Sequence, residues 1–285
     1  MIPSPQFPKV SICIPTYNGE EYLEETISSI EKQNYSNFEV VFSDDQSTDN
    51  TLKLIRSFQN RSKIDIRVIE HQPNGIGSNW NNCVHYANGE FIKFLFQDDL
   101  LEANCISEMI SHYQKNERNN IGVVYCNKEL IGKINQSQIN LNQSIFDHYK
   151  NKTNKELLSS SNLYKKPRNK IAEPPCTLIK KSVFDEIGYF NESLKQSLDY
   201  EFLYRVMTKF AVIPLDQKLI KFRIHAAQTS AQNNKTIIKD TYLTPLLLLK
   251  KHFRVLNYKT TALLIYKVIS GAILFFIFKP FLNET

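Results

Sequence analysis

Two pairs of adjacent aspartates, Asp44-Asp45 and Asp98-Asp99, each follow a short apolar run, and the triplet Thr16-Tyr17-Asn18 follows another. Neighbouring carboxylates repel unless a cation or hydrogen bonds offset them, and hard divalent ions such as Mg²⁺ and Mn²⁺ prefer carboxylate oxygens combined with those of a diphosphate. A single carboxylate beside an aromatic ring suits a nucleobase instead, accepting from the N3–H of uracil while the ring stacks on the base. Asp, Ser, Thr and Asn also form turns and helix caps, so neither acidic pair defines a site by itself.

The elements that must position these groups follow from apolar periodicity. Strands are predicted at 10–14, 38–43, 64–69 and 91–96, separated by amphipathic segments, which is the pattern of βαβ units around a mostly parallel sheet. Leu23, Ile27 and Ile30 recur at helical spacing, and Asn18 with Glu21 resembles a helix-start box. Trp80, Cys83, Val84 and Ala87 mark one face of another helix, which makes Trp80 a core residue. In such a sheet ligands bind at the carboxyl ends of strands, where strand order reverses. The polar clusters should therefore share one crevice.

Beyond residue 126 the pattern weakens. Residues 127–170 are rich in Asn, Lys, Ser and Gln and read as an insertion or mobile loop over the site. A short helix ends at Gly188, a stronger one carries Phe202, Leu203, Val206, Met207 and Phe210, a strand covers 219–224, and helix resumes from residue 236. The apolar segment 262–278 contains Lys267 and falls short of the roughly 20 residues that cross a bilayer. It suits a helix packed on the domain or lying in a membrane interface.

The stretches VSICIPTYNGEEYLEETISSI, VVFSDDQSTDNT, NGIGSNWNNCVHYANGEFIKFLFQDDLL, PCTLIKKSVFDEIGYFNESLKQSLDYEFLYRV and FRIHAAQTS resemble, in order and spacing, the family 2 glycosyltransferases. The resemblance implies a GT-A fold: an α/β, Rossmann-like, mostly parallel central sheet flanked by helices, here with a C-terminal helical extension. It implies a nucleotide-binding set of Thr16, Tyr17, Asn18, Asp44, Asp45 and Ser47, with Asn74 and Gln97 added. It also implies a divalent metal, Mn²⁺ or Mg²⁺, at Asp98 and His225, a sugar-facing Asp99, and Asp199 as catalytic base. The sequence departs from the family at Phe96, where the first acid of Asp-x-Asp often stands, at Leu198, in place of a glutamate, and at Trp80, in place of an arginine.

The expected domain is 1–230, with a nucleotide half to about 125 and an acceptor and catalytic half from 126, followed by the extension at 231–285. The expected activity is inverting transfer from a nucleoside diphosphate sugar, UDP favoured, to a glycan or lipid-linked acceptor, in surface polysaccharide assembly. The alternative is a non-catalytic sugar-nucleotide or glycan-binding module. A dinucleotide oxidoreductase is disfavoured because no G-x-G-x-x-G follows the first strand. The net charge of +6 is spread along the chain, which suits an anionic substrate or peripheral contact with a membrane surface better than nucleic acid. Five scattered cysteines and no signal-like start imply buried thiols and the cytoplasm, at or near the inner face of the membrane.

Overall fold

The structure, a computed structural model of the chain, describes residues 7–160, 169, 171–228, 237–252 and 256–282. Eight strands form one mixed sheet in the order β3-β2-β1-β4-β7-β6-β8-β5. They are β1 Val10–Thr16, β2 Phe38–Asp44, β3 Asp65–Glu70, β4 Phe91–Phe94, β5 Leu100–Leu101, β6 Ile121–Gly132, β7 Thr177–Lys180 and β8 Ala211–Ile224. The described helices are α1 Leu23–Glu31, α2 Thr51–Arg61, α3 Ile76–Tyr86, α4 Cys105–Lys115, α5 Gln136–Tyr149, α6 Asn154–Ser159, α7 Ser182–Ile187, α8 Leu198–Met207, α9 Ile237–His252 and α10 Tyr258–Leu282.

The first half builds as its periodicity requires. Strands β1, β2 and β4 are buried along almost their whole length, and continuous apolar runs of this kind suit parallel strands covered on both faces. The chain moves outward from β1 through β2 to β3, then returns to place β4 on the other side of β1, all in parallel. Strand order thus reverses between β1 and β4, and the carboxyl ends of β1, β2 and β4 face a common crevice.

Three expectations are corrected. Residues 127–160 are not a mobile loop. Asn127–Gly132 complete β6, and α5 and α6 each begin with a reciprocal capping box, Asn135 with Gln138 and Thr153 with Glu156. Such boxes satisfy two orphan backbone donors from polar side chains, so a polar composition here builds helix starts. Of residues 161–170, only 169 is among those described. Second, Asn18 does not start α1: its side chain accepts from the Thr48 backbone N–H (2.8 Å), and the N-cap position is Tyr22. Third, β4 ends at Phe94, two residues early, and β8 begins eight residues before the expected 219.

Trp80 is in the core as expected, packed on Phe94, Phe96 and Phe190, and all five cysteines are buried free thiols. Segment 262–278 lies within α10. Among the described residues no helix is long and apolar enough to cross a membrane. One face of α10 packs inward at Leu264, while Ile265, Tyr266, Ile269, Ile273 and Leu274 are exposed.

Helix α9 is tied to the centre of the molecule through Asp240. Its buried carboxylate accepts from the backbone N–H groups of Lys195, Gln196 and Ser197 (3.1, 2.8 and 3.1 Å to Oδ2) and from the Ser197 hydroxyl. These donors immediately precede α8. Asp240→Ala leaves three backbone donors, that of Ser197 buried, without this acceptor and is expected to lower stability by about 3 kcal/mol, measured by urea unfolding.

Candidate active site

The end of β1 and the turn after β2 are joined by a dense hydrogen-bond web. Asp44 is fully buried and both its oxygens are committed: Oδ2 accepts from the hydroxyls of Thr16 (2.7 Å) and Ser47 (2.7 Å), and Oδ1 from the Ser47 backbone N–H (2.7 Å). The Ser47 hydroxyl also accepts from the Asn18 N–H (2.9 Å). Asn18 and Gln46 carry positive φ, 47° and 58°, a turn conformation that Asn tolerates and Gln adopts at some cost. Gln97 clamps the backbone of Tyr17 with two bonds, accepting from its N–H (2.9 Å) and donating to its carbonyl (3.0 Å). A Cβ on Gly19 would fall 2.4 Å from that amide oxygen, so any larger residue there would displace the Gln97 clamp.

Thr16, Asn18, Asp44, Ser47 and Gln97 therefore shape the two loops by bonding each other. The groups not committed in this way are Tyr17, which is 55% exposed, and Asp45, which is 8% exposed. Asp45 Oδ1 lies 3.0 Å from His71 Nε2, an ion pair when the imidazole is protonated, although the angle is not that of a directed hydrogen bond. Burial pushes the Asp45 carboxyl above its ordinary value, with His71 pulling it back down. Asn74 is exposed on the loop between β3 and α3.

The acidic pair after β4 meets β8. Pairing of β5 with β8 sets Leu100 beside Lys221, and two residues further along β8 the Arg223 N–H donates to Asp99 Oδ1 (2.9 Å) and its guanidinium to the Asp98 carbonyl (2.9 Å). The strand then delivers His225, whose Nε2 is 2.9 Å from Asp98 Oδ2, with Tyr22 packed on its ring (4.9 Å). Asp98 and His225, separated by 127 residues, thus converge on one point. A carboxylate and an imidazole at that spacing can share a divalent ion, and their number fits an ion that keeps waters and phosphate oxygens; among the described residues no group of three such side chains forms. Asp99 is almost completely buried with Oδ2 unpartnered. Burial first, then the charge of Asp98, drives its carboxyl well above the ordinary range.

Asp199 lies in the first turn of α8. Its carboxylate accepts from Asn169 Nδ2 (2.8 Å) and from the Tyr200 N–H (2.7 Å), both of which favour ionisation. Burial outweighs them and raises the group to about 6. Asn169 also borders a cavity that holds the Lys128–Glu173 ion pair (2.5 Å), and Lys128 is in turn near enough to Asp99 to attract it. Lys128, which attracts both Glu173 and Asp99, and Asn169, which bonds Asp199, thus line the same cavity.

The two departures from the acidic pattern have a packing explanation. Phe96 packs against Trp80 (5.1 Å) at the edge of the core and Leu198 is buried within it, so both positions serve packing. Sequence reasoning does not single out His71, Lys128, Asn169, Glu173 or Arg223. His71 directly follows β3 and is accessible to the same strand-end rule; Lys128 and Glu173 have no local signal, because they are joined only by the fold.

The sequence model described as glycosyl transferase family 2 matches residues 11–188. An uncharacterized glycosyltransferase of Rickettsia typhi is 33% identical over 224 residues, covering 78% of this chain and 66% of the relative. The Escherichia coli UDP-Glc:alpha-D-GlcNAc-diphosphoundecaprenol beta-1,3-glucosyltransferase WfgD is 39% identical over 122 residues, 43% of this chain and 46% of WfgD. The aligned parts thus span less than two thirds of these relatives' own lengths. In fold, the chain is similar to Staphylococcus aureus TarS 1-349 in complex with UDP-GlcNAc, with a TM-score of 0.67 at 21% identity, covering 94% of this chain and 73% of TarS.

Proposed function

The chain belongs to glycosyl transferase family 2, with the GT-A fold, and from that premise we propose that it transfers a sugar from a UDP-sugar, with inversion, to a hydroxyl of a glycan or lipid-linked acceptor. The observation that carries the reading is the convergence of Asp98 and His225 at the switch-point crevice.

Tyr17 offers a stacking surface for the base, and Asp45 an acceptor for the N3–H of uracil. Asp98 and His225 would hold Mn²⁺ or Mg²⁺ with the donor diphosphate, and the ion would supply Lewis-acid stabilisation of the leaving group. Asp99 borders the sugar, and Asn74 flanks the nucleotide. Asp199 takes the proton of the acceptor hydroxyl while its oxygen bonds to the anomeric carbon; the bond from that carbon to the diphosphate oxygen breaks, and nucleoside diphosphate leaves. Residues 1–230 form the transferase domain in this reading and 231–285 its extension. The exposed apolar face of α10 suits peripheral contact with the inner face of a membrane, where a lipid-linked acceptor in polysaccharide assembly would be met.

A second reading, a module that binds sugar nucleotides without transferring them, is favoured by the packing roles of Phe96 and Leu198. Both readings expect UDP to stabilise the protein by about 2.7 kcal/mol at 100 times its dissociation constant, with the gain lost in EDTA and restored by Mn²⁺. Thermal unfolding reads this directly. Release of UDP from UDP-sugars, coupled to acceptor glycosylation, separates the enzyme from the module.

A further inference from the structure

The register of the sheet sets His71 beside Asp45. Strand β2 pairs with β3 as far as Asp44 against Glu70, and the ladder takes one further step as the His71 backbone N–H donates to the Asp44 carbonyl (3.1 Å). Asp45 then meets the imidazole, with Oδ1 3.0 Å from Nε2 and both atoms shut away from solvent. We propose that His71 is a positioning residue that decides base specificity: its imidazolium keeps Asp45 ionised, so that the carboxylate accepts from uracil and rejects cytosine. The proposal rests on the reading of Asp45 as acceptor for the N3–H of the base.

The charge follows from the other ring nitrogen. Nδ1 lies 2.8 Å from the Gln72 carbonyl oxygen, an atom that only accepts, so Nδ1 carries a hydrogen. A neutral ring has one N–H. With that hydrogen on Nδ1, Nε2 would turn a bare lone pair toward a carboxylate oxygen at 3.0 Å, too close for a water to stand between them. A second proton removes the repulsion. It belongs on the ring, because imidazole is ordinarily a stronger base than a carboxylate by about 2.5 pH units. The contact lies off the line of a directed hydrogen bond, so charge is what the pair exchanges.

Among the described residues His71 is the one cation paired with the Asp45 carboxylate. Asp44 opposes the ionisation of Asp45 and is itself saturated by three bonds; the Asn79 amide, from α3, favours it. Next to His71, Glu70 is tied to Arg56 of α2 (2.8 Å), and Lys195 approaches the following loop at Gly75. Burial raises the Asp45 carboxyl and His71 pulls it back, so without the imidazolium this group takes up its proton at higher pH. A protonated carboxyl presents an O–H. Cytosine N3, which bears a lone pair, can accept from it, whereas the N3–H of uracil loses a charged acceptor.

Calorimetric titration of UDP and CDP into the full chain with Mn²⁺, from about pH 5 to about pH 8, the range in which imidazole changes charge, tests this. The two nucleotides carry the same diphosphate, whose own titration cancels from the ratio of their affinities. In the wild type that ratio should change less than about twofold. In His71→Ala it should equal the wild-type value near pH 8 and fall about tenfold toward pH 5. A ring that only shapes the loop would weaken both nucleotides alike, and a flat ratio in His71→Ala overturns the proposal. A second measurement needs no altered site: ¹⁵N NMR of the wild-type histidines, with the His71 ring identified by its absence from His71→Gln. Both nitrogens of His71 should be protonated at about pH 6, and Nε2 should be the one that loses its proton as the pH rises to about 8. A neutral ring at pH 6, or loss from Nδ1, overturns the proposal. Asp45→Asn separates this inference from its premise. An unchanged ratio of UDP to CDP affinity in that variant removes Asp45 from base recognition altogether; a narrowed ratio there, with a flat one in His71→Ala, excludes His71 alone.

Discussion

Asp199→Asn is expected to lower kcat by about 10²–10⁴, the usual contribution of a positioned general base, while the affinity for UDP stays at the wild-type value. Asn169 and the Tyr200 N–H donate to different oxygens of the native carboxylate, Oδ2 at 2.8 Å and Oδ1 at 2.7 Å, so the isosteric amide keeps one of these two bonds and loses the basicity. Steady-state kinetics with calorimetric titration of UDP separates the two effects. Full activity in this variant removes Asp199 from the mechanism.

The pH profile carries the same assignment. With the group raised to about 6, the rate should be level above neutrality and fall tenfold per pH unit on the acid side of about 6. The stability linkage has the opposite sense. An acid whose folded pKa is above its unfolded value binds more protons when folded, so this group favours the folded state at low pH and loses that contribution as pH rises from 3.8 to about 6. Asp199→Asn removes an ionised group from a position where desolvation penalises the charge, and its melting temperature at pH 7 should equal or exceed that of the wild type. Greater stability with lower activity is the expected signature of a functional rather than structural carboxylate.

Asp44 and Asp45 should separate in the opposite manner. Asp44→Ala strands three donors that now bond one buried carboxylate; at about 1–3 kcal/mol for each unsatisfied group, stability should fall by at least about 3 kcal/mol. Asp45→Asn breaks no such web. It should change stability by less than about 1 kcal/mol yet weaken UDP about 10–100-fold, the worth of one hydrogen bond to a charged group. The same substitution should narrow the preference for UDP over CDP, since cytosine has no N3–H for a carboxylate to bind. Circular dichroism melts and UDP titrations on the two variants check both. Equal UDP loss without a stability loss in Asp44→Ala would reverse the assignment of the pair.

The difference between these neighbours explains how far the site is legible in the sequence. Both are aspartates at the end of the same apolar run, and residue type gives no means of ranking them. Side chains alternate in direction along and just beyond a strand, so one carboxylate turns into the loop web and the other toward the crevice and His71. Gln97, Ser47, Asn18 and Thr16 fall in with the nucleotide set for the same reason. They lie beside the proposed site, but their polar atoms are used in holding Tyr17 and Asp45 in place.

Fold class, the parallel half of the sheet and the strand ends where the chemistry gathers can all be read from the order of the amino acids. Those features depend on local periodicity and on the rule that open α/β sheets bind ligands at their carboxyl edge. Other features arise only when the chain is folded. Strand β7 is only four residues long and ends in Lys180, so pairing with β4 and β6 defines it, while the polar end of β6 is a strand because β8 runs beside it through Gly132 and Ile224. The contact of Asp98 with His225, the anchoring of the residues before α8 by Asp240, and the pairing of Lys128 with Glu173 all join segments far apart in the chain. No local pattern encodes such contacts: they exist only once the register of the sheet brings the segments together.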